Sequence, residues 1–190
     1  LFVPAFPPAF GRIGPARREL GFRTVFNMMG PLLNPAHARY RVMGVYAPEL
    51  TETAARVLSE LGVSRAYVVH GHDGVDEISL TTTTRVTELR DGWTKTWTLD
   101  PADYGFEPCD AAALKGGDAA ENAAIAERVL SGERGPKRDV VILNAAAAIA
   151  VSALAPDFAS AVAMAKESID SGAAARLLAR LRAPRTAAPA

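Results

Sequence analysis

The sequence predicts an α/β fold with a mainly parallel central sheet, an antiparallel hairpin and flanking helices. Three observations carry that expectation. Two short runs rich in β-branched and aromatic residues, residues 39–47 ("RYRVMGVYA") and 65–71 ("RAYVVHG"), bracket a segment with helical periodicity. A third run, "TRVTELRDGWTKTWTLD", alternates polar and apolar residues around an Asp91-Gly92 turn. Beyond it, alanine-rich helical patterns follow one another, separated by glycine and proline.

Taken in order, the chain opens with "LFVPAFPPAFGRIGPARRELG", where four prolines in the first 15 residues break up any early helix. This opening has no initiator Met, basic n-region or apolar h-region, so it does not read as a secretory signal. The expectation is a C-terminal part of a longer protein. "ARRELG" predicts one helical turn ended by Gly21, and Thr24 is placed to cap a short helix "VFNMMG" that Gly30-Pro31 should stop. "LLNPAHA" is expected as loop.

"PELTETAARVLSELG" starts with Pro48, gathers Leu50, Ala54, Val57, Leu58 and Leu61 on one face, and closes at Gly62. The run 65–71 is continuously apolar, as in strands covered on both faces. Strand, helix and strand with short connections make a βαβ unit, hence a parallel pair. In the hairpin, Val86, Leu89, Trp93, Trp97 and Leu99 predict one covered face. Four helices should follow: one starting at Asp118 and ending at Gly132, one running to Pro156, one to Gly172 and one to Pro184. Residues 184–190 have nothing to bury and are expected to fray.

Composition excludes several classes. Apolar residues make up 49% and charged residues 22% of 190 positions, an ordinary balance for a folded domain. Lys+Arg and Asp+Glu cancel at 21 each, which argues against a general nucleic-acid surface. A single cysteine, Cys109, excludes an internal disulfide and reads as a bystander thiol, consistent with a reducing cytoplasm. No apolar run approaches the ~20 residues of a membrane span. The dinucleotide, P-loop, serine-hydrolase and zincin signatures are all missing.

The stretch richest in chemistry is "VVHGHDGVDEIS", which ends on adjacent carboxylates, Asp76 and Glu77. It follows a buried strand, where ligands of parallel sheets gather. Gly71 and Gly74 permit sharp turning and close approach. The residues alone leave two readings open, a solvated acidic turn and a hard-cation site. Mg²⁺ takes one or two carboxylates and fills its remaining positions with water and phosphate. His70 and His72 lack a third ligand of the same kind, and His70 is expected to end its strand on a backbone hydrogen bond. "KGGDAAEN" reads as a structural turn with Asp118 as helix cap, and Arg17, Arg18 and Arg23 as surface arginines able to read a carboxylate.

Several of these stretches together resemble the anthranilate phosphoribosyltransferases of tryptophan biosynthesis. They are "RRELGFRTVFNMMGPLLNPA", "VVHGHDGVDEIS", "TRVTELRDG", "LKGGDAAENAAIAERVLSGERGPKRDVVILNAAAAI" and "IDSGAA", in the family's order. The resemblance implies transfer of a 5-phosphoribosyl group from phosphoribosyl pyrophosphate to the amine of anthranilate, with Mg²⁺, in a cytoplasmic homodimer. It implies that Asp76 and Glu77 hold Mg²⁺, that Arg17 contacts the acceptor carboxylate, and that Gly30 and Pro31 line the acceptor's path. It also implies that residues 1–22 are a remnant of a small helical domain and hinge, and residues 23–183 part of the α/β domain.

Three departures qualify it. The family's glycine-rich diphosphate loop and "KxGNR" segment are not in the sequence, so this chain alone is expected to be inactive. Pro7 stands where relatives carry a histidine. "SLTTTTRV" replaces a glycine-containing loop. Two alternatives follow, a different aromatic acceptor and a non-catalytic homologue acting as a binding subunit.

Overall fold

The computed structural model describes residue 19, residues 25–34 and residues 36–182. The expected turn at "ARRELG", the Thr24 cap, Arg17, Pro7 and the tail at 184–190 lie outside the described residues.

Four strands form one sheet in chain order: β1 (Tyr40–Gly44), β2 (Arg65–Gly71), β3 (Thr84–Arg90) and β4 (Trp93–Leu99). β1 and β2 pair in parallel, with Gly44 opposite Val69. The helix between them, α2 (Leu50–Glu60), completes the expected βαβ unit. The other two pairings are antiparallel, β2 with β3 and β3 with β4. Parallel pairing among the described strands is therefore confined to β1 and β2. The β3–β4 turn is the Asp91-Gly92 dipeptide, with φ of 47° and 92°. Positive φ at both central residues is what a tight hairpin matching the strand twist requires.

The hairpin differs from expectation in which face it buries. Val86 and Leu89, three positions apart, point to opposite faces of β3, and both are fully buried. Val86 joins Tyr67, Val69 and Leu99 in a core beneath α5 (Pro136–Val151) and α6 (Phe158–Asp170). Leu89 joins Ala66, Val68, Ala54 and Leu58 in a second core beneath α2. The sheet is thus the middle of three layers, and β2 reads as continuously apolar because both its faces are covered. Trp93, at the hairpin tip, is 51% exposed.

Two helix ends depart from the sequence reading. The helix expected to stop at Gly30-Pro31 continues as α1 (Val25–Leu32). Pro31 has no N–H to donate, yet Leu33 N–H still reaches the Met29 carbonyl at 2.9 Å. The Arg41 guanidinium then donates to the Pro31 carbonyl at 2.9 Å, satisfying one of the last-turn carbonyls that a helix end leaves without an intrahelical donor.

The helix expected to run to Pro156 ends at Val151 instead. The Ser152 hydroxyl donates to the Ile149 carbonyl at 2.7 Å, and Ala153 turns left-handed at φ 59°. α3 (Ala111–Leu114), α4 (Ala119–Leu130) and α7 (Ala173–Arg182) complete the described helices. Among the described residues no helix is long and apolar enough to cross a membrane.

Candidate functional site

The acidic pair sits on the loop between β2 and β3, at the end of β2 that the parallel pair predicts. Asp76 and Glu77 are exposed and line a recess of about 290 Å³ together with Asp73, Val75, Ile78, Ser79, Leu114 and Val140. The loop that follows β2 supplies most of the lining, Leu114 of α3 and Val140 of α5 the rest. The carboxylates therefore flank a concavity beyond the carboxyl end of β2.

Backbone fit holds this loop close to the sheet. A Cβ on Gly44 would lie 1.6 Å from the Asp76 carbonyl oxygen, so the loop rests directly on the last residue of β1. A Cβ on Gly71 would lie 2.5 Å from Asp73 Oδ1, and Gly74 has φ 92°. Gly71 thus serves close approach and Gly74 the left-handed turn. Gly71 and Gly74 were legible in the sequence. Gly44, on another strand, was not.

A hydroxyl network fixes Asp73. Its Oδ2 accepts from Ser79 Oγ at 2.7 Å and from Thr81 Oγ1. Burial pushes this carboxyl up, but the hydrogen bonds from Thr81 and Ser79 outweigh it and hold Asp73 below the usual carboxylate range. The Ser79 amide donates to Thr84 Oγ1 at 2.9 Å, and His72 Nδ1 meets Thr83 Oγ1 at 2.7 Å. The threonine run "TTTT" supplies three of these hydroxyls, which composition alone did not reveal. His70 ends β2 as expected: its Nδ1 bonds the Val45 carbonyl at 2.8 Å, and the ring is buried.

From α5, the Asn144 carboxamide grips the residue after Glu77. Its Oδ1 accepts from the Ile78 amide at 3.0 Å and its Nδ2 donates to the Ile78 carbonyl at 2.9 Å. A similar grip holds "KGGD", where Asn122 bonds both the amide and carbonyl of Gly117, at 3.0 and 2.9 Å. Asp118 caps α4 by accepting from the Glu121 amide at 2.9 Å, as the sequence predicts. Cys109 is half-buried, and burial together with Asp110 and Asp139 pushes its thiol up, which keeps it a poor nucleophile.

Gly30 is half-buried in α1, and among the described residues no atom beyond its own stretch of helix lies within 4 Å of where a Cβ would stand. Pro31 is exposed and lines a separate recess of about 290 Å³ with Tyr40, Arg41 and Met43. The two recesses share no residue, but β1 joins them: Met43 lines the second, and Gly44 lies under Asp76.

Among the described residues, no cluster of three or more His, Cys, Asp or Glu gathers as a closed metal cage. Asp76 and Glu77 instead offer two hard oxygen donors beside an open recess. That donor set fits Mg²⁺, which retains waters and takes phosphate oxygens.

Comparisons with known proteins show the family and the fold. Residues 1–175 match the family described as "Glycosyl transferase family, a/b domain". The chain is 52% identical over 185 residues to anthranilate phosphoribosyltransferase of Thermomicrobium roseum, covering 96% of this chain and 53% of that one. The crystal structure of the Thermus thermophilus anthranilate phosphoribosyltransferase superposes with a TM-score of 0.88 at 44% identity, over 95% of this chain and 53% of that one. The Saccharomyces cerevisiae enzyme in complex with PRPP and Mg gives 0.79 at 32% identity, over 89% and 49%. This chain spans about half the length of the curated relatives it matches. It belongs to the glycosyl transferase family, in its a/b domain, and resembles anthranilate phosphoribosyltransferases over nearly its whole length.

Proposed function

We propose that this chain is part of an anthranilate phosphoribosyltransferase, which moves the 5-phosphoribosyl group of phosphoribosyl pyrophosphate to the amine of anthranilate and releases pyrophosphate. The observation that carries the reading is the Asp76–Glu77 pair, held on a fixed backbone at the rim of a recess beside the end of β2. Its support is the similarity to enzymes of that name, one of them solved with PRPP and Mg.

In this reading Asp76 and Glu77 would supply the protein's oxygen ligands to Mg²⁺. When bound, the ion neutralises the charge that builds on the departing pyrophosphate. Arg17 orients the acceptor carboxylate through paired guanidinium hydrogen bonds, which aims the amine at the anomeric carbon. The amine carries its own lone pair, so the site needs no strong base.

Gly30 supports the assignment of α1 to the acceptor's path. Glycine inside a helix costs about 0.5–1 kcal/mol relative to alanine, and among the described residues no atom beyond its own helix stands near enough to Gly30 to demand it. We take residues 1–22 as a remnant of a helical domain and 23–183 as part of the α/β domain. The full-length protein is read as a cytoplasmic homodimer.

The test is direct. The full-length protein carrying this sequence should consume anthranilate fluorescence only when phosphoribosyl pyrophosphate and Mg²⁺ are both present. Preference for another aromatic amine in an acceptor panel would move the assignment to that acceptor, and no turnover with any acceptor would end it.

A further inference from the structure

The acidic pair does not hold itself in place. It stands on Ile78, whose side chain is fully buried in the core and whose two backbone polar groups are both taken by one side chain, that of Asn144. Asn144 is rigid in turn. Its Nδ2 also donates to the Val140 carbonyl at 3.0 Å, one turn back along α5. Neighbours Ile142, Leu143, Ala146 and Ala147 are completely buried.

Only a carboxamide satisfies this geometry. Oδ1 must accept from an N–H while Nδ2 donates to two carbonyls, so neither a carboxylate nor a hydroxyl reproduces it. Outer-shell hydrogen bonds that orient ligating side chains are worth roughly 10–100-fold in metal affinity. Here the grip acts through the peptide that joins Glu77 to Ile78. We infer that Asn144 is a positioning residue for the Asp76–Glu77 pair, setting from helix α5 the spacing at which the two carboxylates meet a divalent cation bound to diphosphate. The inference rests on the reading of that pair given above.

The test measures binding of Mn²⁺–pyrophosphate to the full-length protein by titration calorimetry, with amide hydrogen exchange at Ile78 as a second readout. Asn144→Ala should weaken binding about 10-fold and accelerate Ile78 exchange. Asn144→Asp, nearly isosteric, should do at least as much, because its second oxygen faces two carbonyls. Asn144→Ser is the milder replacement if alanine does not fold. Ile142→Val, a packing change on the same helix, should lower the melting temperature and leave both readouts alone.

Faster Ile78 exchange with unchanged affinity would overturn the inference, as would an Ile142→Val variant as weak as Asn144→Ala. Asp76→Asn separates the two levels. If it weakens binding while the Asn144 variants do not, only the positioning role fails. If it too leaves binding unchanged, the cation assignment fails and takes this inference with it.

Discussion

Gly44 sets how closely the acidic loop can lie against the sheet. Its φ is not in the left-handed region, so its need for glycine comes from contact with Asp76, not from backbone conformation. The clash would be with a carbonyl oxygen at 1.6 Å, which cannot swing away as a side-chain tip can. Gly44→Ala should therefore cost at least about 2 kcal/mol, in the range of overpacked sites, read as a lowered urea midpoint at unchanged slope. An unchanged midpoint would mean the loop does not rest on β1.

At this scale the sequence displayed the candidate ligands but hid their supports. Asp76, Glu77, Gly71 and Gly74 sit in one quotable stretch, so local chemistry and turn preferences point to them. Gly44 and Asn144 act from distant positions on a strand and a helix, and nothing about a lone glycine or asparagine announces its partner. Asp73 lies within the stretch, yet its role depends on hydroxyls from Ser79 and Thr81 that become meaningful only once the loop is folded.

Among the elements, α5 contributes Val140 to the recess and packs on α6, and an ion pair joins the two helices. Arg138 Nη2 lies 2.6 Å from Asp170 Oδ1; the arginine side chain is 10% exposed and the aspartate 54%. Arg138 Nε is buried without a hydrogen-bond partner among the described residues. The two ends of this pair are unequal. Removing Asp170 strands a buried guanidinium, whereas removing Arg138 leaves an aspartate that water can satisfy. Asp170→Ala should cost about 2 kcal/mol and Arg138→Met less than ~1 kcal/mol, both read by chemical denaturation. The opposite order would show that Arg138 stabilises mainly through its own packing.

Element identity was largely legible, because periodicity and turn dipeptides report it locally. The helix, strand and hairpin around "RAYVVHG" all appear where the pattern puts them. Helix ends were less legible. Arg41 extends α1 past Pro31 from outside the helix, and Ser152 ends α5 ahead of its proline. The hairpin's two-sided burial was also missed, since a strand in a middle layer needs no strict alternation and the covering α2 precedes it in sequence.

For the molecule as a whole, three layers converge where β2 ends: α2 packs one face, α5 and α6 the other, and the loop between β2 and β3 emerges over both cores. This gives two mutually repelling carboxylates a fixed base instead of a mobile turn, and a cation would offset their repulsion. The most direct measurement is the Mg²⁺ dependence of phosphoribosyl transfer by the full-length protein with Asp76→Asn or Glu77→Gln. Each substitution should raise the Mg²⁺ concentration for half-maximal rate at least about 10-fold. Superimposable Mg²⁺ curves for wild type and both variants would contradict the account.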